Sequence, residues 1–201
     1  PDHSLFILVS SRPYALPATI RSRCQALRLI APAQTQVEAA VILKRELPPA
    51  DAHFLALLSD GQLGRALECD LEQARTSQKE FAAIFSAKGL QSFSTVLAAA
   101  EALAKGDRAA EAFDWLLRWL RDIMLIAVGA GSDHILNLEQ RAGMQTLAAH
   151  INIDDLLDLI GDLEKMERQA NRNLNVQIAL ETILLRVRQL LTPPDPVDRS
   201  R

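Results

Sequence analysis

The sequence has few aromatic residues and few cysteines. Aromatic side chains make up 4% of its 201 residues, and its two cysteines, Cys24 and Cys69, lie far apart with no Cys-x-x-Cys pair. The N-terminal residues do not resemble a signal peptide. We therefore expect reduced thiols and a cytoplasmic protein rather than a disulfide-bonded secreted one.

Long apolar runs and an excess of positive charge are also missing. Asp114, Arg118 and Arg121 interrupt the longest apolar candidate, which falls short of the roughly 20 residues of a membrane span. The net charge of −3 excludes the global electrostatic footprint of a strongly basic nucleic-acid-binding domain. The composition is 49% hydrophobic and rich in Ala and Leu, which is typical of a helical protein with no membrane partner.

A short segment near the N-terminus differs from the rest. Leu5 to Val9 form a continuous apolar run, which is typical of a strand buried on both faces of a parallel sheet. The remaining sequence has helical periodicity and offers no partner strands. We therefore expect residues 1–30 to be the C-terminal remnant of an α/β core that continues upstream.

Proline and glycine divide the remaining sequence into two helical units. Helices are predicted over 33–46, 51–60, 64–75, 77–88, 91–105, 107–128, 137–150, 153–170 and 174–191. The fold class is thus mainly α. We expect a three-helix unit over 31–75, a six-helix unit over 76–192 and a disordered tail over 193–201.

The most specific motif follows the apolar run. After the small hydroxyl residues Ser10 and Ser11, the sequence reads Leu16-Pro17-Ala18-Thr19-Ile20-Arg21-Ser22-Arg23-Cys24-Gln25. Together with the two helical units, this order resembles that of clamp-loader subunits of the AAA+ class. The resemblance implies the remnant of an ATPase-like core (1–30), a helical lid (31–75) and a helical collar (76–192) that joins subunits into a ring.

The same resemblance implies a role for Arg23, with Ser22 and Cys24 as its motif context. In the family this arginine reaches the ATP that a neighbouring subunit binds, where a guanidinium stabilises the γ-phosphoryl charge and accelerates transfer by about 10³ to 10⁵. Arginine suits this task because it is always charged and presents a planar fork of donors. The residues alone leave an alternative, in which Arg23 pairs with a local carboxylate and Cys24 is a small buried hydrophobe.

The start of the predicted lid helix indicates which kind of subunit the sequence resembles. Subunits that hydrolyse ATP open this helix with Gly-x-x-Arg, and the arginine touches the nucleotide. Here Gly64 occupies the arginine position, and Arg65 lies about 100° further around the helix. The pattern resembles the non-hydrolysing stator of the bacterial DNA polymerase III loader, which needs no cofactor of its own.

The implied partners are gamma/tau-like ATPase subunits, a delta-like subunit and, through the assembled loader, the sliding clamp and primer-template DNA. Two alternatives remain. One is a gamma/tau-like or other AAA+ ATPase whose nucleotide site lies upstream of this segment. The other is a plain helical scaffold in which the Ser-Arg-Cys tripeptide is accidental.

Other candidate residues favour structural roles. Trp115 and Trp119, one helical turn apart, suit either base stacking or packing, and we favour packing or a subunit interface. Ser10 and Ser11 occupy the position where the family reads the γ-phosphate, but we favour loop caps. A dense basic cluster that suits phosphate contact comprises Arg12, Arg21, Arg23 and Arg28.

Acidic and histidine residues give no metal-binding pattern. Four acids lie in the first turns of a predicted helix, where we expect a solvated face: Asp154, Asp155, Asp158 and Asp162. Four histidines share no ligand spacing with one another or with the cysteines: His3, His53, His134 and His150. The sequence therefore predicts no metal site.

Overall fold

The computed structural model describes residues 4–86, 88–106, 108–170 and 175–191, with the side chains of 168–170 excepted. These ranges are mainly helical and contain no strand. The α-helices are α1 (Ala18–Arg21), α2 (Gln34–Arg45), α3 (Pro49–Leu58), α4 (Leu63–Glu68), α5 (Leu71–Ile84), α6 (Phe93–Leu103), α7 (Arg108–Ala127), α8 (Arg141–Ala148), α9 (Ile153–Ala170) and α10 (Val176–Leu191). The predicted mainly α class is confirmed.

The N-terminal apolar run forms no strand, so the predicted strand at residues 5–9 is wrong for this chain. The segment is irregular, and its side chains are exposed, with Val9 at 93%. A strand is defined by hydrogen bonds to a neighbouring strand. The described residues supply none, because everything that follows the segment is helical or irregular.

Helices α2, α3 and α4 pack against one another. Pro49 opens α3, where its fixed φ suits the first helical position. Buried apolar side chains, among them Phe54 and Leu55, fill the space between the three helices. Arg45 of α2 then donates to the carbonyl oxygens of Ala66 (3.1 Å) and Cys69 (2.8 Å), which the end of α4 leaves without helical partners.

The boundary between α4 and α5 differs from the predicted helices over 64–75 and 77–88. Helix α4 ends at Glu68, and α5 runs without a break from Leu71 to Ile84. The cause is a helix cap: the Asp70 carboxylate accepts a hydrogen bond from the backbone N–H of Gln73 at 3.1 Å. Asp70 therefore starts a new helix where the apolar periodicity alone suggested a continuous one.

Helix α7 lies at the centre of the C-terminal helices and packs against α5, α6, α8 and α9. From Ala112 to Ala127 every residue except Arg121 is buried or half-buried. Its two tryptophans join aromatic rings of α5, with centroids 6.3 Å apart for Phe81 and Trp115 and 6.2 Å apart for Phe85 and Trp119. The packing role predicted for the tryptophans is confirmed, and their burial excludes base stacking.

Helix α10 closes this part of the fold by packing against α6 and α9. Its buried side chains, Ala179, Leu180, Ile183, Leu184 and Val187, follow the spacing of one helical face. No helix among the described residues is long and apolar enough to cross a membrane. The predicted tail over 193–201 lies outside the described residues.

Truncation of a buried aromatic residue tests this arrangement. Phe81→Ala removes a side chain that is 1% exposed and stacks on both Phe85 and Trp115, so we expect the free energy of unfolding to fall by about 3 to 5 kcal/mol. Urea unfolding followed by circular dichroism measures the loss. Phe93→Ala is the matched control, because Phe93 is 56% exposed. Equal losses in the two variants would contradict the packing.

Candidate functional site

Arg23 lies in a hydrogen-bonded turn immediately after α1. The backbone N–H of Arg23 donates to the carbonyl of Ile20 at 3.1 Å, and that of Cys24 donates to the carbonyl of Arg21 at 3.3 Å. The Ser22 hydroxyl donates to the carbonyl of Thr19 at 3.3 Å. The motif therefore has a defined local backbone, and Ser22 helps to close the turn.

The side chains of this turn face solvent. Every residue from 17 to 30 is exposed, including Cys24. Among the described residues no carboxylate forms an ion pair with Arg23, although Arg21 lies over the Tyr14 ring at 5.8 Å. Within the described residues Arg23 therefore has no carboxylate partner and Cys24 is exposed, and the role of Arg23 stays a prediction.

The other N-terminal candidates are exposed as well. Arg12 and Arg28 face solvent. The Ser10 hydroxyl accepts a hydrogen bond from the backbone N–H of Arg12 at 3.1 Å, which confirms it as a loop cap. Ser11 is exposed and forms no side-chain hydrogen bond within the described ranges. The four arginines of the basic cluster thus lie on one segment, where their charged groups are exposed and accessible to a partner.

Gly64, which stands where the sequence resemblance predicts an arginine in hydrolysing subunits, has no side chain. Gly64 is the second residue of α4, and a Cβ atom placed there would meet nothing within 4 Å. Arg65 instead lies 3.6 Å from the Asp114 carboxylate of α7. The Arg65 guanidinium is therefore directed to the C-terminal helices. This agrees with the prediction that Arg65 points in a different direction from a side chain at position 64.

A charged cluster that the sequence analysis missed lies where the α3–α4 turn meets α7. We call it the charged junction, and its members are Asp60, Arg65, Asp114, Arg118 and Arg121. Arg118 is 6% exposed and donates to Asp114 (3.1 Å) and to Asp60 (3.0 Å). Burial by itself lowers the pKa of Arg118, but the hydrogen bonds and charges of Asp114 and Asp60 outweigh it and raise the pKa.

A second buried polar group holds the segment after α7. The Asp122 carboxylate accepts from the backbone N–H groups of Leu136 (3.2 Å) and Asn137 (2.8 Å) and from the Asn137 amide (2.8 Å). Gln78 of α5 donates to Asn137 at 3.1 Å. These bonds fix residues 136–137 as irregular backbone, and the helix predicted from position 137 begins as a 3-10 turn over Leu138–Gln140 that leads into α8 at Arg141.

The acidic residues at the start of α9 behave as predicted. Asp154, Asp155 and Asp158 are exposed. Asp162 forms ion pairs with Lys165 and Arg186, and the hydrogen bond from Lys165 is the largest of the effects that lower its pKa. These contacts are consistent with a solvated face that also holds α9 to α10.

The three histidines that the structure describes do not form a common site. The Nδ1 atom of His53 lies 2.9 Å from the Glu38 carboxylate, while His134 and His150 are exposed. His3 lies outside the described residues. Within the described ranges, no three His, Cys, Asp or Glu side chains are grouped so that they could hold a metal ion.

These observations define a helical module preceded by an exposed, arginine-bearing segment. Residues 74–189 match the family model described as DNA polymerase III, delta subunit, C terminal, so the chain belongs to this family. It is also similar to DNA polymerase III subunit delta' of Escherichia coli K12, with 28% identity over 199 residues. That alignment covers 96% of this chain and 57% of the relative, so the chain spans little more than half of the relative's length.

The buried carboxylate provides a test of the α7 environment. In Asp122→Asn, an NH₂ group replaces one acceptor oxygen and meets a backbone N–H, so we expect the free energy of unfolding to fall by about 1 to 3 kcal/mol. Burial is the largest effect on Asp122, and it raises the pKa in the folded state although the hydrogen bonds from Asn137 and Leu136 oppose it.

A carboxyl group whose pKa is higher in the folded state than in the unfolded state binds a proton more tightly when the protein folds. This proton stabilises the folded state at low pH, and the stabilisation is lost as the pH rises through the folded-state pKa. Stability of the wild type should therefore decline relative to Asp122→Asn from about pH 4 upward. Urea unfolding at a series of pH values measures the difference. Asp158→Asn, at an exposed position, is the control. Parallel pH profiles for wild type and Asp122→Asn would contradict this account.

Proposed function

We propose that this chain belongs to a non-hydrolysing stator subunit of the DNA polymerase III clamp loader, in which Arg23 completes the ATP site of a neighbouring subunit. The observation that carries the proposal is the exposed Ser22-Arg23-Cys24 turn, whose arginine has no ion-pair partner among the described residues. The family membership and the similarity to subunit delta' support the choice of complex.

The chemistry follows from the charge and position of Arg23. Negative charge on the γ-phosphoryl oxygens must be stabilised as the phosphoryl group is transferred, and a guanidinium from another subunit serves this purpose without any proton transfer. An arginine that was already paired with a carboxylate of its own chain would stabilise the phosphoryl charge less. The exposed Arg23 guanidinium is available to a phosphate. The hydrogen bond of Ser22 helps to fix the backbone turn that carries Arg23.

The absence of a side chain at Gly64 supports the non-hydrolysing role. In the resembling ATPases an arginine at this position contacts the nucleotide bound by its own subunit. Here the neighbouring Arg65 is engaged with Asp114 of α7. We infer that the chain contributes an arginine to a partner and lacks the corresponding arginine for a nucleotide of its own.

The domain division and partners are part of the same proposal. Residues 1–30 would belong to an AAA+ core, 31–75 to the lid and 76–192 to the collar of a cytoplasmic protein. The collar region exposes several large apolar side chains that suit association with gamma/tau-like and delta-like subunits. They include Phe93, Val128, Leu138, Ile153, Leu157 and Ile178. The assembled loader would then act on the sliding clamp and primer-template DNA.

The test is ATP hydrolysis by a reconstituted loader that contains the complete protein, with clamp and primer-template DNA present. We expect Arg23→Ala to lower the rate at the neighbouring site by up to about 10³ to 10⁵, because that site loses its trans-acting charge, so that the loader retains only the hydrolysis of its remaining ATP sites. Lys44→Ala is the control, since Lys44 is exposed on α2 and lies outside the N-terminal basic segment. Gel filtration verifies equal assembly of the three loaders.

The alternatives predict different results. An unchanged rate in Arg23→Ala at equal assembly would overturn the trans-acting role. ATP hydrolysis by the complete protein without partner subunits would identify it as an ATPase. Failure of the wild-type protein to assemble with clamp-loader subunits would support the plain helical scaffold.

A further inference from the structure

The α3–α4 turn has an unusual backbone at the point where it meets α7. Asp60 and Gly61 both have positive φ, of 51° and 79°. An aspartate in this left-handed conformation is uncommon and needs local support. That support comes from α7, since one Asp60 carboxylate oxygen accepts from Arg118 at 3.0 Å and the other lies 3.5 Å from Arg121.

The guanidinium of Arg118 fixes the orientation between the turn and the helix. Its Nε atom donates to Asp114 on its own helix, and its Nη2 atom donates to Asp60 on the turn. The guanidinium is rigid and planar, so hydrogen bonds from two of its nitrogen atoms determine the position of the Asp60 carboxylate relative to the Asp114 carboxylate. A buried guanidinium that loses one partner is strongly unfavourable, so the arrangement resists displacement.

The same turn also touches the segment that leads to Arg23. A Cβ atom at Gly61 would lie 3.3 Å from the carbonyl oxygen of Pro32 and 3.5 Å from the Cβ of Ala31. Residues 31–32, which are exposed, connect the N-terminal segment to α2 and run close to Gly61 of the turn. Helix α7, the turn and the end of the N-terminal segment thus meet at one point.

We propose that Arg118 is a positioning residue for Arg23: by holding the Asp60–Gly61 turn on α7, it fixes the direction in which the N-terminal segment leaves the helical body. The catalytic consequence rests on the proposed function of Arg23. The geometric part does not, because it concerns only the placement of residues 4–32 relative to α7. Arg118 itself touches no nucleotide in this proposal.

The geometric part can be measured without ATP. Spin labels are attached to Cys24 and to a cysteine introduced at the exposed position Gln189 of α10, with all other cysteines of the complete protein replaced. Pulsed electron paramagnetic resonance then gives the distance distribution between the labels. We expect a single distribution in the parent protein and a broadened or shifted one in Arg118→Met.

A second variant keeps the test decisive if Arg118→Met fails to fold. Asp60→Gly removes the carboxylate while retaining a residue that adopts positive φ without strain. We expect the same broadening as in Arg118→Met. Glu101→Gln is the control, because it breaks an exposed ion pair with Lys105 that does not involve the turn. A distance distribution that is unchanged in Asp60→Gly would overturn the proposal.

The catalytic consequence is tested in the reconstituted loader with unlabelled protein. We expect Arg118→Met and Asp60→Gly to lower kcat by about tenfold to a hundredfold through misplacement of Arg23. The KM for ATP should stay the same, because the neighbouring subunit binds the nucleotide. Glu101→Gln should leave both constants unchanged. A purely structural role would lower the melting temperature of the variants without changing kcat at temperatures where they are folded.

The two proposals can fail separately. If Arg23→Ala has no effect on hydrolysis, the proposed function fails, but the label distances still decide whether Arg118 positions the segment. If Arg23→Ala is inactive while Arg118→Met and Asp60→Gly retain the wild-type kcat, the link between Arg118 and Arg23 is overturned. Loss of kcat together with altered distances in both variants supports the proposal.

Discussion

The described structure depends on one constraint: a helix that is buried on nearly every side must find partners for its charged residues inside the protein. Helix α7 carries two such residues, Arg118 and Asp122, one turn apart. Arg118 takes Asp60 from the preceding helices, and Asp122 takes the backbone of residues 136–137 from the segment that follows. Because an unpaired buried charge is costly, these two bonds specify where elements on both sides of α7 are placed.

The N-terminal segment is organised in the opposite way. Its arginines are exposed, and the turn that holds Arg23 depends only on local backbone bonds. Such a segment keeps its charge available but does not determine its own direction relative to the helices. In our proposal the proximity of residues 31–32 to Gly61 supplies that direction, since the same turn is held on α7 by Arg118.

Sequence periodicity predicts the helices well because each amphipathic face is a local feature, as the spacing of buried residues on α10 illustrates. The break between α4 and α5 is also local, but the Asp70 cap lies within a run whose periodicity continues across it. The late start of α8 and the Arg118 bond to Asp60 could not be predicted, because they join residues 15 and 58 positions apart. The run at 5–9 has strand-like composition, but composition cannot supply a partner strand.

Arg65 and Arg23 differ in whether they have a partner within the described residues. A shift of one residue along α4 rotates a side chain by about 100°. Arg65 therefore does not project from the Gly64 position, and it lies 3.6 Å from Asp114, a carboxylate that it shares with Arg118. Arg23 has no such partner within the described residues. In the proposed function, the guanidinium of Arg65 pairs within the chain, while the exposed guanidinium of Arg23 is left for another subunit.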